Sequence, residues 1–302
     1  MKYFSICLLA ATLVSGGADA KSFKDMFPAE YPQITAADKA AIDRMDLKTG
    51  TIALEGGKAS VTIPDGYYFL GPGDSRFVLE TLWGNPADSS TLGMIFPADQ
   101  SPYDQGWAAE MSYDDIGHVS DADAESQDYD ALLKQMQADA VQESADRKKA
   151  GLPEVSVIGW AEPPHYDKQL RVAYWGKRLQ FSGEDGETLN YNLRILGRHG
   201  VMVVNFIAAM SDLPQVKAAT PAVMQMVTFN DGNRYSDYLP GVDKLAAGGI
   251  AALIAGKVVA KTGFLVLLLA FAKKGIILIL DFGAAGLLWV KSRFGTPKPP
   301  QS

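Results

Sequence analysis

The amino-acid sequence is strongly apolar near both termini and acidic between them, and the two apolar segments restrict what the rest can fold into. Lys2 precedes the apolar stretch Tyr3–Val14, and Ala18-Asp19-Ala20 follows as a small-residue cleavage pattern, so residues 1–20 are predicted to be a signal peptide. Residues 245–290 are rich in Leu, Ile, Val, Ala and Gly. Together the segments predict a body that leaves the cytoplasm and stays tethered to a membrane by its C-terminal part.

The C-terminal tract has the composition of membrane helices, because about 20 apolar residues are enough to cross a bilayer. We predict a transmembrane helix over residues 245–272, a second hydrophobic helix over 275–292 and a polar tail over 293–302. The second helix either crosses back or lies at the interface: the nearby basic residues favour one crossing, and the hydrophobicity favours two. The residues expected to pack these helices are small or charged: Gly248, Ala252, Gly256 and Ala260, spaced by four, with Lys257, Lys261 and Asp281.

Charge and cysteine content exclude several function classes. The chain carries 28 basic and 35 acidic side chains, and the tract after residue 244 is basic, so the body before it is acidic. Nucleic acid is excluded as a partner, because phosphate binding requires a basic surface. The single cysteine, Cys7, lies in the signal, so the mature chain has no disulfide, thiolate metal site or cysteine nucleophile. The expected partners are the lipid bilayer and, through the tail helices, other envelope proteins or a second copy of this chain.

Short strand patterns separated by turns predict an α+β domain over residues 47–240, an antiparallel sheet with helices packed on it, followed by the helical membrane tract. A helical lead-in over 21–46 precedes this domain, with Thr35 as a helix N-cap. The strongest helical pattern covers residues 125–149, and a later helix is kinked or restarted at Pro221. We expect this part of the chain to fold without its tail. The predicted strands are Thr51–Leu54, Ala59–Ile63, Tyr67–Leu70, Phe77–Trp83, Thr91–Phe96, Val155–Ala161, Gln169–Phe181, Thr188–Arg198 and Val201–Met210.

An acidic run before the long helix resembles part of a calcium-binding loop. Asp121, Asp123 and Glu125 alternate as the first ligands of such a loop would. Ser126 and Leu132, however, occupy the positions where the loop requires a glycine and a bidentate glutamate. We therefore interpret the run as a solvated acidic loop that also favours the N-terminus of the following helix.

The remaining titratable residues show no catalytic or metal-binding pattern. His118, His165 and His199 lack the spacing of zinc ligands. The sequence also lacks a nucleophile elbow, a P-loop and a dinucleotide-binding fingerprint. We assign no catalytic, cofactor-binding or metal-binding residues, and we expect no cofactor.

Acidic and aromatic residues provide the remaining candidates for function. Glu110 with Asp114 or Asp115 would supply the two carboxylates that glycoside hydrolysis needs. Trp160 and Trp175 lie within apolar strand patterns, and we predict that both are mainly buried. Other aromatic residues would line a groove for a peptide or glycan, or fill the sheet core. The candidate interaction surface consists of Tyr113, Asp114, Asp115, His165 and Tyr166.

Several strings of the body resemble the uncharacterised bacterial membrane-anchored family known as domain of unknown function 2167. They are Tyr113–Val119, Gly159–Asp167, and Leu189–Asn192 with Leu196–Gly200. With the helix between the first two strings and the hydrophobic tail, the similarity covers residues 47–290. The resemblance implies a membrane-anchored exported domain, and it supplies no activity, substrate or cofactor.

Three functions are compatible with these features. The leading hypothesis is a membrane-anchored, extracytoplasmic, non-enzymatic binding or interaction module at the inner membrane of a Gram-negative bacterium, with its large domain on the periplasmic side. The second is a hydrolase of an envelope polymer that uses carboxylates near 110–125. The third is an oligomerising or transport-associated accessory membrane protein. Two carboxylates facing each other in a concave pocket would favour the hydrolase, and carboxylates splayed into solvent would favour the binding module.

Overall fold

The computed structural model describes residues 18–256, except 86, 88, 126 and 150–152. Most of the predicted signal peptide lies outside these residues. So do the greater part of the predicted transmembrane helix, the second hydrophobic helix and the polar tail.

An antiparallel sheet forms the centre of the described part of the chain and confirms the predicted sheet architecture. Its order is β11-β3-β2-β4-β5-β6-β10-β9-β8-β7, and β1 pairs with β2 beside this path. The strands are β1 Asp19–Ser22, β2 Asp46–Ala53, β3 Ala59–Ile63, β4 Tyr67–Leu70, β5 Gly93–Pro97, β6 Ala108–Asp114, β7 Val155–Asp167, β8 Val172–Phe181, β9 Thr188–Leu196, β10 Val201–Ala209 and β11 Val227–Phe229. The α-helices are α1 Phe23–Met26, α2 Ala36–Ile42, α3 Pro72–Arg76, α4 Tyr129–Lys149, α5 Leu213–Met226 and α6 Ile250–Ile254.

The two faces of the sheet have different cores, because side chains alternate along each strand. On one face, Leu193 of β9 and Val204 of β10 belong to a cluster with Val216 and Val223 of α5. On the other face the apolar residues form two clusters at opposite ends of the central strands. One contains Phe181 and is covered by α1 and α2, and the other contains Trp175 and is covered by α6.

Several local predictions from the sequence are confirmed. Glu55-Gly56-Gly57-Lys58 connects β2 and β3 as a hairpin. The Thr35 hydroxyl accepts a hydrogen bond from the Asp38 amide at 3.2 Å and caps α2. The lead-in is only partly helical, because it begins with β1, which also includes residues 19 and 20 at the predicted signal boundary.

The prediction of a strand over Phe77–Trp83 is wrong, because residues 77–82 form a π-helical turn that continues α3. Pro72 at the first helical position starts this helix. Val78 is buried, and Phe77 and Leu82 pack beside it against the same cluster, so a short apolar run satisfied both helical and strand patterns.

Element boundaries differ from the prediction mainly at the edge of the sheet. β7 continues past Ala161 to Asp167 with three irregularities in its register, and it carries Pro163 and Pro164. An edge strand tolerates proline because one row of its backbone groups has no neighbouring strand. α4 begins at Tyr129, four residues later than predicted, and α5 runs through Pro221 without interruption.

Candidate functional site

One end of the sheet holds a junction between the loop after β6 and the last part of the described chain. We call residues 115–124 the clamp loop and residues 235–254 the C-terminal segment. His118 of the clamp loop forms a parallel β-bridge with Leu245 of the segment. The two backbone hydrogen bonds of this bridge measure 2.8 and 2.9 Å. The segment is therefore joined to the sheet by its backbone as well as by the side chains described below.

Gly117 allows the close approach of the two backbones. Its amide donates a hydrogen bond to the His199 carbonyl at 2.9 Å, and its φ is +94°, a conformation that favours glycine. A Cβ at this position would lie 2.8 Å from the Lys244 carbonyl oxygen and 2.9 Å from the Leu245 carbonyl carbon. Both the dihedral angle and the available space therefore require glycine here.

The imidazole of His118 lies between two tyrosine rings of the C-terminal segment. Its centroid is 4.3 Å from that of Tyr235 and 3.9 Å from that of Tyr238, and both rings are stacked on it. Burial lowers the pKa of His118, although the backbone groups of Arg198 and Gly197 act in the opposite direction. Its Nδ1 has no hydrogen-bond partner within the described part of the chain. The residue therefore acts here as a neutral, mainly apolar surface for the segment.

Asp121 is the polar centre of the junction. Its Oδ2 accepts hydrogen bonds from the Tyr166 hydroxyl at 2.8 Å and from Arg171, and its Oδ1 accepts one from the Tyr235 hydroxyl at 3.1 Å. Burial raises the pKa of Asp121, but the bonds from Tyr166, Tyr235 and Arg171 outweigh it and leave the pKa below its ordinary value. The carboxylate is therefore ionised and fixed by three side chains.

Arg171 reaches Asp121 from an unusual backbone conformation. Its φ is +58°, in the left-handed region that residues with a Cβ seldom adopt. Its guanidinium carbon lies 4.8 Å from the centre of the Tyr235 ring, and its carbonyl accepts a hydrogen bond from the Leu196 amide at 2.8 Å. These contacts hold the turn between β7 and β8 against the C-terminal segment and offset the strain of the backbone.

Asp123 caps the last helix of the segment. Its carboxylate accepts hydrogen bonds from the Ile250 amide at 2.9 Å and from the Ala251 amide at 3.2 Å. These amides lie in the first turn of α6, where helical N–H groups have no partner within the helix. Gly249 precedes the helix without a side chain, and a Cβ there would lie 2.4 Å from the Asp123 carboxylate. The acidic run thus supplies a cap to a helix about 127 residues later in the chain.

An ion pair fixes the middle of the segment. The Arg198 Nε and NH2 groups donate to Asp243 at 2.8 and 3.0 Å, a bidentate geometry that orients both side chains. The Leu239 amide also donates to Asp243, at 2.7 Å. Arg198 is the main cause that lowers the pKa of Asp243 to about 2. The ion pair between Arg198 and Asp243 therefore fixes the residues between Leu239 and the β-bridge.

The helix α6 is part of the domain core. Ile250, Leu253 and Ile254 are each at most 2 % exposed and pack against a cluster that includes Trp175 and Val203. Helix α6 therefore completes the hydrophobic core of the sheet face opposite α5. The packed core of the described residues thus extends past residue 240, the predicted end of the domain.

The structure also differs from the predicted membrane helix where the two overlap. No helix in the described part of the chain combines the length and apolar character needed to cross a bilayer. Gly248 precedes α6, Ala252 lies within it, and Gly256 follows it with a φ of +72°, so these three residues do not share one helix face. The other predicted packing residues, Ala260, Lys257, Lys261 and Asp281, lie outside the described residues.

The predicted interaction residues are distributed over several places. Tyr166 contacts the junction through Asp121, and Asp115 is the first residue of the clamp loop. Tyr113 packs against Phe229 and Lys58, and Asp115 is exposed and forms an ion pair with Lys58 at 3.4 Å. Burial raises the pKa of Asp114, and Arg194 acts against this shift.

His165 belongs to a separate group at the sheet edge. Its ring stacks on Tyr174 with 5.1 Å between centroids, and its Nε2 lies 2.9 Å from Glu162, which also pairs with Lys217 of α5. The described contacts of these residues thus fall at the junction, around Lys58 and at the sheet edge. Sequence reasoning missed the junction residues Arg171, Tyr235, Tyr238 and Asp243, for which the chain offers no local signal.

A row of buried polar side chains crosses the sheet between the cluster that contains Phe181 and the cluster that contains Trp175. Glu110, Asn205 and Asn192 occupy aligned positions on β6, β10 and β9. Arg194 donates to Asn205 at 3.1 Å, and Asn205 donates to Glu110 at 3.5 Å. Burial lowers the pKa of Arg194 to about 10, while Asp114 and Glu110 oppose this shift. This row is a connected network within the fold.

The hydrolase hypothesis pairs Glu110 with Asp114 or Asp115, and Asp115 lies beyond the end of β6. Glu110 and Asp114 lie on one face of β6 four residues apart, a separation of ~13 Å along the strand. Glycoside hydrolases place their two carboxyl groups roughly 5 to 10 Å apart. Glu110 is also only 5 % exposed. Within the residues that the structure describes, no group of three or more His, Cys, Asp or Glu side chains is positioned to hold a metal ion.

Comparisons with known proteins agree with the resemblance seen in the sequence. A family model described as protein of unknown function (DUF2167) matches residues 46–283. A comparison with curated proteins finds no match. Among solved structures, the chain is similar to the solution structure of cyanobacterial PsbP from Synechocystis sp. PCC 6803, at 8 % identity and a TM-score of 0.33, over 60 % of this chain and 91 % of that one. At that TM-score the likeness carries no argument about fold or function. Since the family model covers most of its length, the chain belongs to the DUF2167 family of proteins of unknown function.

Proposed function

We propose that the protein is a membrane-anchored extracytoplasmic module that binds a partner in the bacterial envelope. The observation that carries this proposal is the junction between the clamp loop and the C-terminal segment. The segment leads directly into the hydrophobic tract of the sequence, and the domain holds it with Gly117, His118, Asp121 and Asp123. In this proposal the domain packs against the residues that lead into its membrane anchor.

The hydrogen bonds of the junction support a role in holding the C-terminal segment against the domain. Each hydrogen bond of Asp121 and of Arg198 described above is made to another group of the domain or to the segment. The strings that resemble the family meet here: Tyr113–Val119 supplies the clamp loop, Gly159–Asp167 supplies Tyr166, and Leu196–Gly200 supplies Arg198. If the hydrophobic tract is the membrane anchor, the strings that resemble the family are expected to include residues that hold the segment leading into it.

The arrangement of acidic residues favours binding over hydrolysis. Asp121 and Asp123 serve the C-terminal segment, Asp115 pairs with Lys58, and Glu110 lies within a buried network. A catalytic pair would need two acids facing one cleft. Purified full-length protein incubated with envelope polysaccharide should therefore release no reducing ends. Release that is lost in a Glu110→Gln variant would contradict the proposal.

The anchoring is tested by fusions to a reporter that is active only after export. A fusion after Gly256 keeps the complete domain and should be active, and a fusion after Gly275 should be silent, since Lys273 and Lys274 resist translocation. A silent fusion after Gly256, or an active one after Gly275, would contradict the proposed topology. A fusion after Ser302 distinguishes one crossing from two, because a second crossing makes it active.

Binding is tested by crosslinking in isolated membranes. The full-length protein should give discrete adducts with a second protein or with a second copy of itself. An adduct of fixed mass that survives the Glu110→Gln substitution is expected for a binding module. A chain that stays monomeric at every crosslinker concentration would contradict the proposal.

A further inference from the structure

The loop before the β-bridge exposes three aliphatic side chains. Leu239, Val242 and Leu245 are 49, 76 and 57 % exposed, and all lie within seven residues. Single exposed apolar residues are common on protein surfaces, but a group of them on one loop is characteristic of an interaction site. We call residues 239–245 the apolar loop.

The apolar loop is held in its conformation by the rest of the domain. The amides of Val242 and Asp243 donate to the Leu239 carbonyl at 3.1 and 3.0 Å. Asp243 is fixed by Arg198, and Leu245 is fixed by the bridge to His118. Because both ends and the turn are anchored, the exposed side chains are presented to the outside by the fold.

One more exposed aliphatic residue lies at the same end of the domain. Leu170, which is 39 % exposed, is in the turn between β7 and β8, next to Arg171, whose guanidinium lies on the Tyr235 ring. The Asp167 carboxylate accepts hydrogen bonds from the Leu170 amide and the amide before it, each at 2.8 Å, and so fixes this turn. Lys168 and Lys244 are the exposed charged residues of the two loops. Aliphatic side chains bordered by lysines have the composition of surfaces that enter a lipid headgroup layer.

The position of the hydrophobic tract indicates what this surface faces. Three residues lie between Leu245 and Gly249, and α6 adds five more with a rise of about 1.5 Å each. The part of the tract that follows α6 therefore begins within about 30 Å of the apolar loop, even if the connecting residues are fully extended. A domain of this size is roughly 45 Å across, so this distance is shorter than the width of the domain.

We propose that the apolar loop is a lipid-binding site, with Leu239, Val242 and Leu245 inserted into the interfacial layer of the membrane that anchors the tract. Lys244 and Lys168 lie at the level of the lipid phosphates. This proposal rests on the proposed anchoring function. It adds a second attachment point, which fixes the orientation of the domain on the bilayer.

The test uses the full-length chain in vesicles of zwitterionic and anionic phospholipid that contain a lipid with a nitroxide on its acyl chain. In a Cys7→Ser background, which removes the single cysteine of the chain, a Val242→Cys substitution places one environment-sensitive fluorophore on the loop. A Val141→Cys substitution is the matched control, because Val141 is an aliphatic residue of α4 that is 72 % exposed. Nitroxide lipid should quench the fluorophore at position 242 by at least half and leave position 141 nearly unchanged.

Equal quenching at the two positions would overturn the proposal. A fluorophore at position 242 that is shielded from water without quenching by lipid would also overturn it. In that case dilution of the protein in lipid identifies what shields the fluorophore from water. Shielding that is lost on dilution indicates a second copy of the chain, and shielding that persists indicates residues 257–272 of the same chain. Flotation of the same sample separates the two proposals. Protein that floats with the vesicles while position 242 is unquenched keeps the anchoring function and rejects the lipid-binding loop, and protein that does not float rejects both.

Discussion

The placement of α6 in the core predicts that truncation of the chain has a sharp boundary. A chain of residues 21–256 keeps α6, whereas a chain ending at Tyr238 loses it together with the apolar loop. Ile250, Leu253 and Ile254 are fully buried, and burial of each such side chain contributes about 1.5–3 kcal/mol. Their loss removes roughly 5–9 kcal/mol as an upper estimate, which is comparable to the whole stability of a typical domain, about 5–15 kcal/mol.

Urea unfolding followed by tryptophan fluorescence and near-ultraviolet circular dichroism checks this prediction. The chain ending at Gly256 should unfold in one cooperative transition, and the chain ending at Tyr238 should show no such transition. Leu253→Ala in the longer chain is the graded control and should cost about 2–5 kcal/mol. A cooperative transition with an unchanged midpoint in the chain ending at Tyr238 would refute the assignment of α6 to the core.

Three further substitutions test the junction and the core by the same unfolding measurements. Gly117→Ala should cost at least about 2 kcal/mol, because both its positive φ and the Lys244 carbonyl exclude a Cβ, whereas Gly57→Ala, at a φ of +67° with no atom within 4 Å, should cost about 1–2 kcal/mol; equal losses would contradict the close approach. Trp175→Ala should cost about 3–5 kcal/mol, because its side chain is 2 % exposed, and a loss below 1 kcal/mol would place it outside the core. Asp243 has its folded pKa lowered to about 2, so its stabilisation is present above the ordinary carboxyl value and is lost as the pH falls towards 2. The stability difference between the wild type and Asp243→Asn should therefore be constant from pH 5 to 7, should shrink as the pH falls below the ordinary carboxyl value and should vanish below pH 2. A difference that grows on acidification would contradict the ion pair.

The features predicted correctly from the sequence are those with local causes. The glycines between β2 and β3 favour a hairpin, and Thr35 precedes a helix as a capping residue. Trp175 is buried as predicted, and Trp160, which is only partly buried, packs beside the same cluster. The run Phe77–Leu82 was predicted wrongly because six apolar-rich residues fit the periods of both a strand and a helical turn.

The junction was not predictable because its contacts join distant parts of the chain. Asp121 and Asp123 look like members of a solvated acidic run, and only the fold brings Tyr235 and the start of α6 to them. Ile250 and Leu253 belong to an apolar segment that is typical of a membrane helix. The same side chains also suit a short helix that packs in the core of a domain. Hydrophobicity alone does not distinguish burial in protein from burial in lipid.

The central claim is that the C-terminal segment is a folded part of the domain, held by the clamp loop. Hydrogen exchange of the full-length protein in membranes tests it most directly, because backbone amides in stable hydrogen bonds exchange slowly. The amides of Ala246, Ile250 and Ala251 should be protected as strongly as those of β10, and Asp123→Asn should reduce the protection of Ile250 and Ala251 while leaving β10 unchanged. Exchange of residues 245–254 at the rate of an unstructured chain in the wild-type protein would contradict the account.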